Sequence, residues 1–164
     1  YVDIAVVVVI IRHYFSFVGK NAMKKIPLFG YLYARLNILV DRSDKNSRAS
    51  SLSRSIRALQ SGRSIVIFPE GGIISKNFPY MANPLKDGAF IMAIQQQVPI
   101  VPMSFHTNHQ IMDDDTLMMR PGTLYVEIHP PFETKGLTME DLPVLREKVF
   151  ESIQNPILAY YGLK

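Results

Sequence analysis

Apolar positions along the chain fall into short blocks divided by polar or Gly/Pro-rich breaks, and the period inside each block predicts its structure. Ile4 to Ile11 is apolar without interruption, so no period separates its faces. Its β-branched content favours a strand, while Asp3 just before it suits a helix N-cap. Phe15-Ser16-Phe17-Val18 alternates as a strand does. After the break at Ile26-Pro27-Leu28-Phe29-Gly30, residues 31–36 suit a short helix and residues 37–40 a strand that runs into polar Asp41-Arg42-Ser43-Asp44. From Ser47 to Ser61, Leu52, Ile56 and Leu59 recur at helical spacing, and Gly62 is placed to stop the helix. Ser64 to Phe68 reads as a buried strand entering the turn Pro69-Glu70-Gly71-Gly72. Phe90, Ala93, Ile94 and Val98 give residues 87–97 a helical stripe that Pro99 closes, and Ile100 to Phe105 reads as a strand. Asp113-Asp114-Asp115 marks an exposed loop, and Leu124 to His129 alternates as a strand. Thr138 with Asp141 resembles a capping box, with Asp in place of Glu. It opens a last helix buried along Leu142, Leu145, Val149 and Ile153, which Pro156 should kink or end.

Strands alternating with helices predict an α/β fold, a single layered domain over residues 1–161 with a mostly parallel central sheet flanked by helices. The 164 residues suit one domain, and no repeat or linker divides them. With 48% apolar and 20% charged residues, a disordered chain is excluded. Charge is unevenly spread: residues 1–64 carry 11 Lys/Arg against 3 Asp/Glu, and residues 65–164 carry 7 against 11. A basic first half points to an anionic partner such as a phosphorylated substrate or a membrane surface. Nucleic acid is set aside because no platform of stacking aromatics accompanies the charge. The absence of cysteine excludes disulfides, thiolate metal sites and a Cys nucleophile. The longest apolar run is far short of the roughly 18–20 residues that span a bilayer. The chain opens with Tyr1 and turns apolar within three residues, and it reads as a fragment whose upstream part is missing.

The turn Pro69-Glu70-Gly71-Gly72 is the sharpest chemical feature. In open α/β sheets ligands bind at the carboxyl edge, and glycines there let the backbone approach a ligand and present free N–H groups to an anion. A tight turn with a solvated Glu is the alternative reading. It is neither a dinucleotide fingerprint nor a phosphate loop, because the spaced glycines and the Gly-Lys-Ser/Thr are absent. Lys20, Arg42 and Lys86 each stand beside a predicted strand end or turn, either as surface charge or as a set converging on a phosphate. His13, His106, His109 and His129 read as surface or structural residues. His106 and His109 have a metal-compatible spacing but no third ligand, so no metal site is expected. Met118 and Met119 suit core or apolar surface.

In order, these features resemble the glycerolipid acyltransferases, in particular the bacterial lysophosphatidic-acid acyltransferases. Tyr1-Val2-Asp3 is similar to the tail of the family's Asn-His-x4-Asp block, with Asp3 as its Asp. Ile26-Pro27-Leu28-Phe29-Gly30 leading to Val40-Asp41-Arg42-Ser43 resembles the second block, Phe68-Pro69-Glu70-Gly71 the third, and Val98-Pro99-Ile100-Val101-Pro102 the fourth. Lys86-Asp87-Gly88-Ala89-Phe90 and Phe17-Val18-Gly19-Lys20 resemble two further Lys-bearing segments of the family. Two departures stand out. Gly72-Ile73-Ile74-Ser75 replaces the usual Thr-Arg-Ser continuation, leaving Ile73 where a cation is expected and Lys76 nearby. The block's His would stand at the third position upstream of Tyr1, so the chain as given is expected to be inactive.

The resemblance implies transfer of a fatty acyl group from acyl-CoA or acyl-carrier protein to the sn-2 hydroxyl of a lysophosphatidate, giving phosphatidic acid. A His base would take the hydroxyl proton, and Asp3 would hold its tautomer. Glu70 would order the acceptor site. Lys20, Arg42, Phe68, Pro69, Gly71, Gly72 and Lys86 would bind the acceptor, with the amides near Gly71 and Gly72 as candidate oxyanion donors. No cofactor is implied beyond the acyl donor. The partners would be a lysophospholipid and a membrane surface, met by the basic half and by Phe15, Phe17, Tyr31 and Tyr33. The implied location is the cytoplasmic face of a bacterial inner membrane. Two alternatives remain: an acyltransferase for another lysolipid, and a non-catalytic lipid-binding module on the same fold.

Overall fold

The computed structural model describes residues 2–21, 29–41, 43–72, 78–112 and 118–163, excluding the side chains of Lys20 and Phe29. The Asp113–Asp115 loop expected from the sequence lies outside the described residues.

The uninterrupted apolar block is helical, α1 (Val2–Ile10). Asp3 sits in its first turn and accepts the Ile4 N–H at 2.9 Å, and the Ile11 N–H closes the helix on the Val7 carbonyl at 2.9 Å. The β-branched residues cost only tenths of a kcal/mol each in a helix, about what one tertiary contact returns. Val7 is buried at 1% exposure while Val8 and Val9 face out. This two-sided exposure is why no period marks the block as a helix.

From α1 a short turn leads into β1 (Phe15–Lys20), followed by α2 (Phe29–Leu36), β2 (Ile38–Val40), α3 (Lys45–Gln60) and β3 (Ser64–Val66). β1 is central in the order β2-β1-β3 and parallel to both neighbours, with Lys20 opposite Val40 and Phe17 opposite Val66. All three strands therefore end at one edge. α3 lies against all three. Its N-cap is Asp44, whose carboxylate accepts the N–H groups of Asn46 and Ser47 at 3.0 and 2.9 Å. Its buried line runs through Ser51 and Ser55, with Leu52, Ile56 and Leu59 half-buried. Both serine hydroxyls bond back to carbonyls of the preceding turn, so neither hydroxyl is stranded. Gly62 follows at φ +83°, as the stop signal requires. β3 is half-buried, not buried as its apolar run suggests, because it sits at the edge of the sheet.

The second half comprises α4 (Gly88–Gln96), β4 (Met103–Phe105), α5 (Asn108–Ile111), β5 (Val126–Ile128), a 3-10 turn (Met139–Asp141) and α6 (Leu142–Tyr160). β4 and β5 form an antiparallel pair separate from the parallel sheet. The strand expected from Ile100 starts only at Met103. Pro99 and Pro102 lack N–H donors, so Ile100 makes just an isolated bridge to Phe132. Thr138 and Asp141 form the capping box, the Thr138 N–H reaching the Asp141 carboxylate at 2.7 Å. Pro156 lies inside α6 and does not end it; the helix runs on to Tyr160 because Ile153 and Ile157, on either side, are held in the core. The expected stripe Leu142, Leu145, Val149 and Ile153 is buried, packed with Leu85, Phe90 and Ile94. Met118 and Met119 are exposed. Of the four aromatics expected to meet a membrane, Phe17 and Tyr33 are buried and Phe15 half-buried, leaving Tyr31 outside.

Candidate functional site

The edge where the parallel strands end collects most of the residues singled out above. β3 runs on through Ile67-Phe68 into Pro69-Glu70-Gly71-Gly72. The Phe68 ring stacks on Phe17 of the central strand at 6.2 Å and 12°. The Gly71 N–H returns to the Phe68 carbonyl at 3.4 Å, and Gly71 has φ +86°, a conformation other residues adopt only with strain. The Lys86 N–H holds the Pro69 carbonyl at 2.8 Å. The stem of Lys86 lies over the turn: a Cβ on Gly71 would come within 3.2 Å of its Cγ and Cε. Among the described residues, a Cβ on Gly72 would meet nothing within 4 Å.

Glu70 is half-buried, and its Oε2 accepts the Ala82 N–H at 3.3 Å. Loss of water raises its proton affinity above the usual carboxylate range; the Ala82 N–H opposes this and the negative charge of Asp3 adds to it. Asp3 stands in the first turn of α1, the helix that a short turn joins to β1. Though 67 residues away in sequence, its charge reaches Glu70.

The segment that donates to Glu70 is itself anchored. Buried Gln154 of α6 accepts the Met81 N–H at 2.6 Å and donates to the Pro79 carbonyl at 3.0 Å. Ala82 and Gln154 carry no catalytic residue type, so nothing in the sequence singles them out. At the end of β2, Asp41 accepts the Ser43 N–H at 3.0 Å and its hydroxyl at 2.6 Å. Lys20 ends β1 opposite Val40. The Lys20 side chain, Arg42, Ile73 and Lys76 lie outside the described residues.

The histidines stand elsewhere. His13 pairs with the Ser64 hydroxyl at 2.7 Å. His106 and His129 flank Glu127 at 3.5 and 3.7 Å. His109 packs on Phe78, and burial there lowers its proton affinity. No three His, Asp or Glu among the described residues are placed to hold a metal. Two open surface hollows of about 460 and 560 Å³ run along α6, one beside Tyr125 and Tyr160 and one beside Pro131 and Lys148; neither is lined by the candidate residues.

Residues 1–106 match the family described as Acyltransferase. The chain is 33% identical over 118 residues to the human 1-acyl-sn-glycerol-3-phosphate acyltransferase alpha, covering 71% of this chain and 40% of that protein. It is 32% identical over 127 residues to the 1-acyl-sn-glycerol-3-phosphate acyltransferase of Haemophilus influenzae, covering 76% and 51%. The chain spans about half or less of the length of the curated relatives it matches. Its fold is that of the 1-acyl-sn-glycerophosphate acyltransferase crystal structure from Thermotoga maritima: TM-score 0.76, 22% identity, 99% of this chain and 63% of that one.

Proposed function

We propose that this chain, which belongs to the acyltransferase family, moves a fatty acyl group from acyl-CoA or acyl-carrier protein to the sn-2 hydroxyl of a lysophosphatidate. The lysolipid hydroxyl attacks the thioester carbonyl, the thiol leaves, and phosphatidic acid forms. A hydroxyl is a poor nucleophile near neutral pH, so a histidine base takes its proton. In the block that this chain resembles, the base is a histidine five residues before the aspartate; Asp3 would orient it and steady the imidazolium. Glu70 arranges the acceptor, Lys20, Arg42 and Lys86 hold its phosphate, and the reaction needs no cofactor beyond the acyl donor. The setting is the cytoplasmic face of a bacterial inner membrane.

The observation that carries this reading is the half-buried Glu70 in a glycine turn at the strand ends, crossed by Lys86 and reached by the charge of Asp3. The relatives named for the same reaction support it. The test is an assay of the protein extended through the codons before Tyr1, given lysophosphatidate and acyl-CoA. Turnover is expected, falling about 10²-fold or more when the upstream histidine becomes Ala. Arg42→Ala should mainly raise the KM for the acceptor. A folded, extended protein that turns over no lysophosphatidate sinks the reading; turnover of another lysolipid alone moves the assignment to that acceptor, and vesicle binding without turnover moves it to a lipid-binding module.

A further inference from the structure

Among the described residues, α2 leaves one side uncovered next to the end of β1. Tyr33 points inward, and its hydroxyl stands 2.0 Å from where a Cβ on Gly19 would be. Gly19 is the next-to-last residue of β1, so this contact fixes the first turns of α2 beside the edge that holds Glu70. On the opposite side of the helix, Tyr31, Leu32 and Leu36 are 64%, 58% and 52% exposed, and Arg35 is exposed among them. At 100° per residue these four fall within an arc of about 140°. The Arg35 guanidinium donates to the Tyr31 hydroxyl at 3.0 Å and lies 5.6 Å from the centre of its ring, so one side chain braces the other.

Three large apolar groups and a cation on one arc of a short helix are costly to leave in water unless something covers them. A protein interface also favours Tyr and Arg, but it must supply Arg35 with an acceptor of its own. A bilayer surface takes the whole set: leucines reach the acyl boundary, tyrosine sits at headgroup depth, and arginine meets lipid phosphate. The charge of the surrounding sequence agrees, with 11 Lys/Arg against 3 Asp/Glu in residues 1–64.

We infer that the outward face of α2, formed by Tyr31, Leu32, Arg35 and Leu36, docks on an anionic phospholipid bilayer and brings the strand-end edge to the membrane. This rests on the reading that the site takes a lipid acceptor.

The chain has no tryptophan, so a single introduced one reports its own surroundings. Leu32→Trp is placed on the docking face, and Val144→Trp is placed on α6, where Val144 is 58% exposed. With phosphatidylglycerol vesicles, Leu32→Trp emission should shift to the blue and Val144→Trp emission should not. Arg35→Glu in the Leu32→Trp chain should weaken vesicle affinity about five-fold or more. No shift at position 32, or equal shifts at both positions, overturns the inference. So does a shift at position 32 that follows protein concentration without lipid, since a second copy of the chain then covers the face. Turnover of a short-chain lysophosphatidate dissolved as monomers, by the extended protein, tests the enzymatic reading separately, because it requires no bilayer.

Discussion

Glu70 owes its behaviour to three neighbours: a protein surround that removes water, one N–H from Ala82, and the charge of Asp3. Burial and Asp3 favour the protonated form, so Glu70 binds its proton more tightly folded than unfolded. The stability this contributes is fully present below the ordinary carboxylate range and is lost as pH rises through the folded value. Glu70→Gln keeps an acceptor for Ala82 and abolishes the ionisation. In urea unfolding it should match the unaltered chain at about pH 4 and exceed it near pH 7. A stability difference that does not vary with pH would mean that Glu70 feels neither burial nor Asp3. The same environment, which penalises a charge here, suits a group that arranges an acceptor better than one already engaged in an ion pair.

At the scale of elements, the contact between β1 and α2 carries the most consequence for the site. An Ala at position 19 would set its Cβ 2.0 Å from the Tyr33 hydroxyl and 2.9 Å from Cζ, so the ring must move. Overpacking of this kind costs about 1–3 kcal/mol. Adding Tyr33→Phe removes the nearest atom and should recover part of that loss in urea unfolding; a neutral Gly19→Ala would refute the close approach. Elements with local signals were readable beforehand. α3 has Asp44 and Gly62 at its ends, and α6 has the Thr138–Asp141 box and a single apolar stripe. α1 was not, since an all-apolar block has no period and its helical state depends on what covers Val7. Burial misled in β3, because an apolar run does not reveal whether its strand lies at a sheet edge; in α3 a helix pressed close to a sheet buries Ser51 and Ser55.

For the molecule as a whole, function rests on convergence. The order β2-β1-β3 sends three strands to one edge, where the charge of Asp3 in α1 reaches Glu70. Sequence motifs named Asp3, Glu70 and Lys86, and the family resemblance gave them a common purpose, but their meeting depends on topology. The supports were invisible for the same reason: Ala82 reaches Glu70 across 12 residues, and Gln154 reaches Met81 across 73. The decisive measurement is an NMR titration of the Glu70 side-chain carboxyl in the unaltered chain and in the Asp3→Asn variant. If the two acids share a site, removing the Asp3 charge lowers the Glu70 midpoint toward the ordinary carboxylate range. Identical midpoints would put the two groups beyond each other's influence and leave the proposed catalytic edge without its central pair.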